Sequence, residues 1–115
     1  GTPKMNILSL KNENIISENK IIFLGNEITL EKIKLNKRKY FIGIRPEHFN
    51  TSDTSEYKFK PKIDLIENLG NEKIVYMSND NLELSAKISS QVEFQHELKF
   101  DSKDIFIFDE DGNRI

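Results

Sequence analysis

The strongest constraint on the fold is that the chain has no helical hydrophobic pattern and is rich in alternating apolar and polar residues. No stretch of about twelve residues sustains the i, i+3, i+4, i+7 spacing of an amphipathic helix, whereas β-branched and aromatic residues recur with a period of two. This alternation is typical of β-strands, because successive side chains point to opposite faces of a sheet. The sequence therefore predicts an all-β domain.

Turn residues divide the chain into about eight short strands, a number and spacing typical of a sandwich or barrel. Gly25-Asn26 is predicted as a two-residue hairpin loop, because both residues tolerate positive φ. Pro46 is expected to stop a strand, because proline cannot donate a ladder hydrogen bond. The strand segments are predicted at residues 5–10, 15–16, 20–24, 27–30, 40–45, 59–69, 73–78, 82–88, 96–100 and 105–108.

Three polar stretches are predicted to connect strands. Glu31–Lys39 carries five Lys and Arg residues and is interpreted as a solvated connection. Asn50–Glu56 has no apolar residue and is expected to form an exposed, mobile loop. Asp109–Asn113 is predicted to be a polar turn.

Composition limits the possible functions. The 115 residues are 37% hydrophobic and 31% charged, which suits one globular domain. A net charge of -2 does not favour nucleic-acid binding. The chain has no cysteine, and its longest apolar run, Ile21–Leu24, is far shorter than a membrane-spanning helix. The chain begins with Gly1-Thr2-Pro3-Lys4-Met5 and not with an initiator methionine. We therefore expect it to be an excised segment of a longer protein.

Catalytic motifs are missing from the sequence. The five glycines never give the spacing of a phosphate-binding loop, and no motif marks a nucleophile triad. His48 and His96 are far apart without helical pairing, so we interpret both as surface residues and expect no metal. Glu67 and Glu72 are interpreted as ordinary solvated carboxylates. The chain itself is therefore expected to be neither an enzyme nor a cofactor-binding protein.

Three segments resemble the C-terminal domain of carbohydrate-type ABC importer ATPases, the family of the maltose and glycerol phosphate transporter ATP-binding subunits. Residues 1–8 are similar to the linker that follows the nucleotide-binding domain in that family. Gly43-Ile44-Arg45-Pro46-Glu47-His48-Phe49 resembles the most recognisable motif of the domain. Ile66-Glu67-Asn68-Leu69-Gly70-Asn71-Glu72 and the closing Ile107–Gly112 resemble two further segments.

This resemblance implies a transport-associated OB (TOBE) barrel, with residues 1–115 as one regulatory domain and residues 1–8 as the junction to a missing nucleotide-binding domain. The parent subunit is then expected to be an ATPase that binds ATP and Mg²⁺ outside this chain. Its expected partners are a second copy of the same subunit, its own nucleotide-binding domain and permease subunits. It is expected to be cytoplasmic and peripheral to the inner face of the membrane, with neither nucleic-acid binding nor direct membrane insertion.

The candidate structural or partner-contact residues come from two of these motifs. Gly43 is expected to permit close backbone approach, and Arg45 with Glu47 is expected to form a charged pair or to anchor a loop. Gly70 is expected at a bend or bulge where two strands part. The complete set is Gly43, Arg45, Pro46, Glu47, Glu67, Leu69, Gly70 and Glu72.

Two other functions remain open from the sequence. One is a barrel that binds a small oxyanion through backbone N–H groups and Ser or Lys side chains. The other is a nucleic-acid-binding OB domain, which would require a contiguous basic and aromatic face.

Overall fold

A computed structural model of the chain describes residues 3–36 and 38–115. Within these residues there are eleven β-strands and three short 3₁₀ turns, and every strand pairing is antiparallel. The strands are β1 (Asn6–Leu10), β2 (Ile15–Ser17), β3 (Lys20–Phe23), β4 (Asn26–Thr29), β5 (Tyr40–Ile44), β6 (Tyr57–Phe59), β7 (Lys62–Asn68), β8 (Glu72–Asn79), β9 (Leu82–Ser89), β10 (Leu98–Phe100) and β11 (Phe106–Asp109).

The strands form four small sheets, with strand orders β1-β5-β11, β10-β6, β2-β3-β4 and β7-β8-β9. The predicted all-β class is confirmed, and the arrangement is consistent with an OB-type fold. The structure has eleven strands where the sequence indicated ten segments, because residues 59–69 are not one strand. Pro61 separates β6, which pairs with β10, from β7, which pairs with β8. A proline cannot donate to a ladder, so the chain changes sheets there.

The predicted hairpin between β3 and β4 is present, but its loop is shifted by one residue. Phe23 pairs with Asn26, so the loop is Leu24-Gly25 and not Gly25-Asn26. Leu24 has φ 51° and Gly25 φ 79°. Leucine rarely adopts this conformation, but here its side chain is buried in the core, which offsets the backbone strain.

One buried cluster forms the core and is centred on Phe100. The ring of Phe100 lies 5.8 Å from that of Phe23, 6.1 Å from Phe49, 5.5 Å from Tyr57 and 6.0 Å from Phe59. Four of the eight phenylalanines are buried, as expected for core packing. The other four are half-buried, and three of these lie on one sheet face that is described below.

The polar loop 50–56 is exposed, as predicted, but it is held by hydrogen bonds. Asp101 accepts from the N–H of Glu56 at 2.9 Å and from the hydroxyl of Ser55 at 3.3 Å. Glu56 accepts in return from the N–H and hydroxyl of Ser102, at 3.0 and 2.9 Å. The prediction of a mobile loop did not anticipate this network, because the hydrogen-bond partners of the loop lie about 46 residues further along the chain.

The basic segment 31–39 is largely exposed, as predicted: Lys32, Lys34, Arg38 and Lys39 all face solvent. Lys37 lies outside the described residues. Its exception is Leu35, which is buried in the core. The hydroxyl of Tyr40 also fixes the segment, because it donates to Asn36 Oδ1 at 2.8 Å and accepts from the Asn36 N–H at 2.9 Å. The segment is therefore a solvated connection that Leu35 and the partly buried Ile33 attach to the core.

Candidate functional site

Gly43 lies at the centre of the sheet formed by β1, β5 and β11, where it pairs with Ile7 on one side and Phe106 on the other. A Cβ at this position would lie 2.8 Å from Met5 Sδ, 2.9 Å from Phe108 Cε2 and 3.3 Å from Ile7 Cδ1. The atoms that approach Gly43 most closely belong to side chains that lean over the glycine, and not to another backbone segment as expected.

The rest of the first motif turns the chain out of this sheet. Pro46 is buried and begins a 3₁₀ turn, Pro46–His48, so it ends the strand as predicted. Arg45 lies with its Cζ 5.5 Å from the ring centroid of Phe106. The expected Arg45–Glu47 charged pair is wrong, because no ion pair joins them in the described part of the chain. Arg45 contacts an aromatic ring on its own sheet.

The second motif forms the turn between β7 and β8. The Leu69 N–H donates to the Glu72 carbonyl at 2.8 Å, and Gly70 has φ 93°. Gly70 therefore lies at a bend, as expected, but this bend closes the β7–β8 hairpin, and the two strands do not part there. The bulge of β7 lies instead at Asp64, where the register shifts. Leu69 and Glu67 are both exposed.

Strand β9 connects the two motifs. The 3₁₀ turn of the first motif packs against β9, and Glu47 and Lys87 line the same small cleft of about 190 Å³. Lys87 Nζ also lies 3.4 Å from Glu72 Oε1 in the second motif. Glu67 is exposed on the neighbouring strand β7 and forms no ion pair among the described residues. The structure does not assemble Glu67 and Glu72 into a buried carboxylate pair.

Sequence analysis missed Asn6, whose buried side chain joins two sheets. Its Nδ2 donates to the carbonyls of Ile44 at 3.0 Å and Ser85 at 2.9 Å, and its Oδ1 accepts from the Ser85 N–H at 2.8 Å. Ser85 lies on β9, an edge strand, so the amide of Asn6 occupies the place that a neighbouring strand would take. The only sequence signal was a polar residue at the start of an apolar strand.

Residues 6–8 of the predicted junction therefore belong to β1 and are built into the domain. Gly1 and Thr2 lie outside the described residues. The assignment of residues 1–8 as a junction to another domain stays a prediction.

The face of the β1-β5-β11 sheet that points away from the core is mostly apolar; we call it the outer face. The residues on it are Ile7 and the exposed Ser9 of β1, Phe41 and Gly43 of β5, and Phe106 and Phe108 of β11. Ile7 is 50% exposed. The two β11 rings stack with centroids 6.3 Å apart.

Two arginines flank the outer face at one end. Arg114 lies with its Cζ 4.4 Å from the Phe106 ring centroid, closer than the 5.5 Å of Arg45. The C-terminal residues bring Arg114 there by folding back along β11, where Asn113 accepts from the Asp109 N–H and Ile115 donates to Ile107.

A cleft of about 290 Å³, lined by both polar and apolar residues, lies between β1 and the tips of two hairpins. Its charged lining residues are Lys11, Glu13 and Asp80. One cation against two carboxylates gives a local field that repels anions. This cleft does not have the charge that an oxyanion site requires.

His48 is only partly a surface residue, which corrects the prediction. Its Nδ1 is buried without a hydrogen-bond partner and lies 3.8 Å from Asp104 Oδ1. His96 is exposed, as predicted.

Across residues 3–36 and 38–115, no three His, Cys, Asp or Glu side chains converge in an arrangement suited to a metal ion. None of the helical turns in these ranges is long and apolar enough to cross a membrane.

Curated proteins with similar sequences are ATP-binding subunits of maltose importers. The chain is 31% identical over 83 residues to the maltose/maltodextrin import ATP-binding protein MalK of Vibrio vulnificus (strain YJ016). The matched residues cover 68% of this chain and 22% of that protein. MalK of Vibrio cholerae serotype O1 gives the same identity and shares, and MalK of Vibrio parahaemolyticus is 29% identical over 83 residues. No family model matches the chain.

The chain spans 22% of the length of these relatives. The matched part lies in their C-terminal region. The comparison therefore establishes a weak homology between this chain and the C-terminal part of the ATP-binding subunit of a maltose importer.

Proposed function

We propose that the chain is the C-terminal accessory domain of the ATP-binding subunit of an ABC importer for a sugar or related solute. The observation that carries this proposal is the 83-residue match to MalK. The fold supports it, because an all-β domain of short antiparallel sheets is consistent with an OB-type barrel. The motifs around Gly43 and Gly70 meet at β9 and lie at its structural junctions, as expected for residues that shape a domain.

In this proposal the parent subunit hydrolyses ATP through residues outside this chain, which also hold ATP and Mg²⁺. The domain acts as a tether and a regulatory surface. Two subunits joined through their accessory domains keep their nucleotide-binding domains at high effective concentration while these open and close. The parent works with permease subunits at the cytoplasmic side of the membrane. Solute selection is assigned to other components of the importer.

The two other functions receive less support. The cleft with Lys11, Glu13 and Asp80 has the wrong charge for an oxyanion. A nucleic-acid face would need contiguous basic and aromatic residues. The outer face has aromatic rings and two arginines, Arg45 and Arg114, at one end, but an acidic turn at Asp109–Asp111 borders it and the exposed Ile7 lies on it. We therefore retain the importer proposal alone.

The proposal is tested on the native protein. Antibodies raised against this chain are used to precipitate the antigen from detergent-solubilised membranes of the source cells, and its mass, ATPase activity and bound proteins are measured. We expect a subunit several times longer than this chain, Mg²⁺-dependent ATPase activity and co-precipitated permease. A free 13.4 kDa protein without ATPase activity would contradict the proposal.

A further inference from the structure

The cleft between β1 and the tips of the β3–β4 and β8–β9 hairpins combines an aliphatic wall with a charged rim; we call it the β1 cleft. Its volume of about 290 Å³ is close to the lower limit of about 300 Å³ for pockets that hold small organic ligands. Such pockets are mostly apolar inside and carry a few polar groups that orient the ligand. The lining residues of the β1 cleft therefore determine which class of molecule it can bind.

The wall of the β1 cleft is aliphatic, and the protein covers it only in part. Leu8 of β1 and Leu82 of β9 are half-buried, and Ile22 of β3 is 40% exposed. The core residues Leu10 and Ile42 complete this wall. A hydrocarbon group that enters the cleft removes apolar surface from water, which favours its binding.

The rim of the β1 cleft is charged. Lys11 and Glu13 lie at the 3₁₀ turn Asn12–Asn14, and Asp80 lies in the turn that joins β8 to β9. All three are exposed, and none forms an ion pair among the residues that the structure describes. Two free carboxylates against one ammonium group leave the rim negative, so the cleft attracts cations.

Two carboxamides add neutral hydrogen-bond acceptors to this rim. Asn14 and Asn79 are half-buried and line the cleft. Within residues 3–36 and 38–115, neither side chain takes part in a hydrogen bond, whereas other asparagine side chains of the domain do. Their oxygens are therefore available to an ammonium donor.

A second cleft has charge without an aliphatic wall. It lies beside the loop 50–56 and has a volume of about 350 Å³. Its lining residues are Thr51, Asp53, Lys60, Glu93, Gln95, Glu97 and Lys99. It carries more carboxylates than the β1 cleft, but it has no aliphatic side chain, and Lys99 already pairs with Asp53 at 2.9 Å. A molecule that only seeks negative charge would bind both clefts, so the second cleft is an internal control.

We propose that the β1 cleft binds a small organic cation, an ammonium group on an aliphatic body. The body lies against the half-covered wall, and the ammonium group donates to the carboxylates of Glu13 and Asp80 and to the carboxamide oxygens beside them. Lys11 weakens the binding by repulsion and keeps a doubly charged cation from being favoured. The inference goes beyond the importer proposal and does not rest on it.

The first test compares three probes of the same shape and different charge: n-hexylammonium, hexan-1-ol and hexanoate. Each is titrated into the ¹⁵N-labelled chain, and the amide shifts are followed by NMR. Hexylammonium is expected to bind with a Kd of about 1 mM and to shift residues 11–14, 22 and 79–82. The alcohol should bind at least about threefold and the carboxylate at least about tenfold more weakly, because they lack the charge or reverse it. Equal binding of the three probes, or shifts only beside the loop 50–56, would overturn the proposal.

The second test changes the rim and the wall one residue at a time. Asp80→Asn and Glu13→Gln are each expected to raise the Kd for hexylammonium about threefold, and Lys11→Gln to lower it about threefold. Asparagine keeps the positive φ of 47° at position 80 without strain, so the turn is preserved. Ile22→Ser should raise the Kd at least about fivefold, because it removes part of the wall.

Glu93→Gln in the second cleft is the matched control for Glu13→Gln, and its Kd is expected to stay within about 1.5-fold of the parent value. If Glu93→Gln weakens binding as much as Glu13→Gln, the cation does not occupy the β1 cleft. If Lys11→Gln weakens binding, Lys11 contacts an anionic group and the ligand class is wrong. The amide spectrum of each variant shows directly whether it is folded.

These results can be separated from the importer proposal. Selective binding of hexylammonium by a protein without ATPase activity would support the cleft and reject the function. A chain from a subunit with ATPase activity that binds none of the probes would do the reverse.

Discussion

Replacing Asn6 with alanine tests how the sheets are held together. The side-chain amide satisfies the N–H and C=O of Ser85 and also donates to the Ile44 carbonyl. Asn6 is 8% exposed and Ser85 9% exposed, so water cannot readily take over these bonds in the native structure. The variant therefore leaves two backbone groups of β9 without partners.

The expected loss follows from the cost of unpaired groups. A buried donor or acceptor without a partner costs about 1–3 kcal/mol, so two such groups cost about 2–6 kcal/mol. Water that enters the space vacated by the amide recovers part of this cost. We expect Asn6→Ala to lower the free energy of unfolding by about 3 kcal/mol.

Asn6→Asp gives a second, pH-dependent result. The carboxylate still accepts from the Ser85 N–H, but it faces two carbonyl oxygens without a proton to donate. Its pKa is therefore expected to be higher in the folded than in the unfolded state. Below the unfolded pKa the protonated side chain donates again, and this stability is lost as pH rises through the folded pKa. The variant should be more stable at pH 4 than at pH 7 relative to the parent chain.

Urea unfolding followed by far-UV circular dichroism measures these free energies. Asn68→Ala is the control, because Asn68 is exposed and accepts only a turn hydrogen bond from the Gly70 N–H at 3.2 Å. Its change is expected to stay within about 0.5 kcal/mol. If Asn6→Ala loses less than about 1 kcal/mol, Asn6 does not join the sheets as described.

Three other changes have defined outcomes. Gly43→Ala is expected to destabilise the chain by about 1–2 kcal/mol in urea unfolding, because two neighbouring side chains lie within 3.0 Å of the new Cβ; no measurable loss would refute the tight packing. Phe100→Ala is expected to lose about 3–5 kcal/mol, whereas the half-buried Phe94→Ala should lose clearly less, and equal losses would contradict the assigned core. Lys99 Nζ lies 2.9 Å from Asp53 Oδ1, and its hydrogen bond and charge lower the pKa of Asp53 in the folded protein. The stability that this pair contributes is therefore present above the pKa of Asp53 in the unfolded chain, and it is lost as pH falls through the pKa of Asp53 in the folded protein. Lys99→Met should raise the pKa of Asp53 in an NMR titration, and an unchanged midpoint would show that Lys99 does not control it.

The sequence predicted those parts of the fold that depend on local patterns. Alternation predicted most strands, and Pro46 ended β5 where expected. The β3–β4 hairpin was also predicted, but its loop was displaced by one residue because burial of Leu24 outweighs the turn preference of Asn26. Side-chain burial depends on the whole fold, so a local pattern does not reveal it.

Contacts between distant residues could not be predicted. Asn6 and Ser85 are 79 residues apart, and the loop 50–56 is fixed by Asp101 and Ser102. Arg45 was named as a candidate residue from the sequence, but its contact in the structure is Phe106 and not Glu47. The outer face left a signal in the sequence, because β5 and β11 do not alternate apolar with polar residues. These runs were interpreted only as strands, and not as strands with two apolar sides.

The proposed origin of the chain in an importer ATPase is tested by sequencing the native gene upstream of Gly1. We expect an in-frame nucleotide-binding domain, with a glycine-rich phosphate-binding loop, that leads into Gly1. An initiator methionine immediately before Gly1 would contradict it, because the chain would then be a free-standing β-domain without an ATPase to regulate.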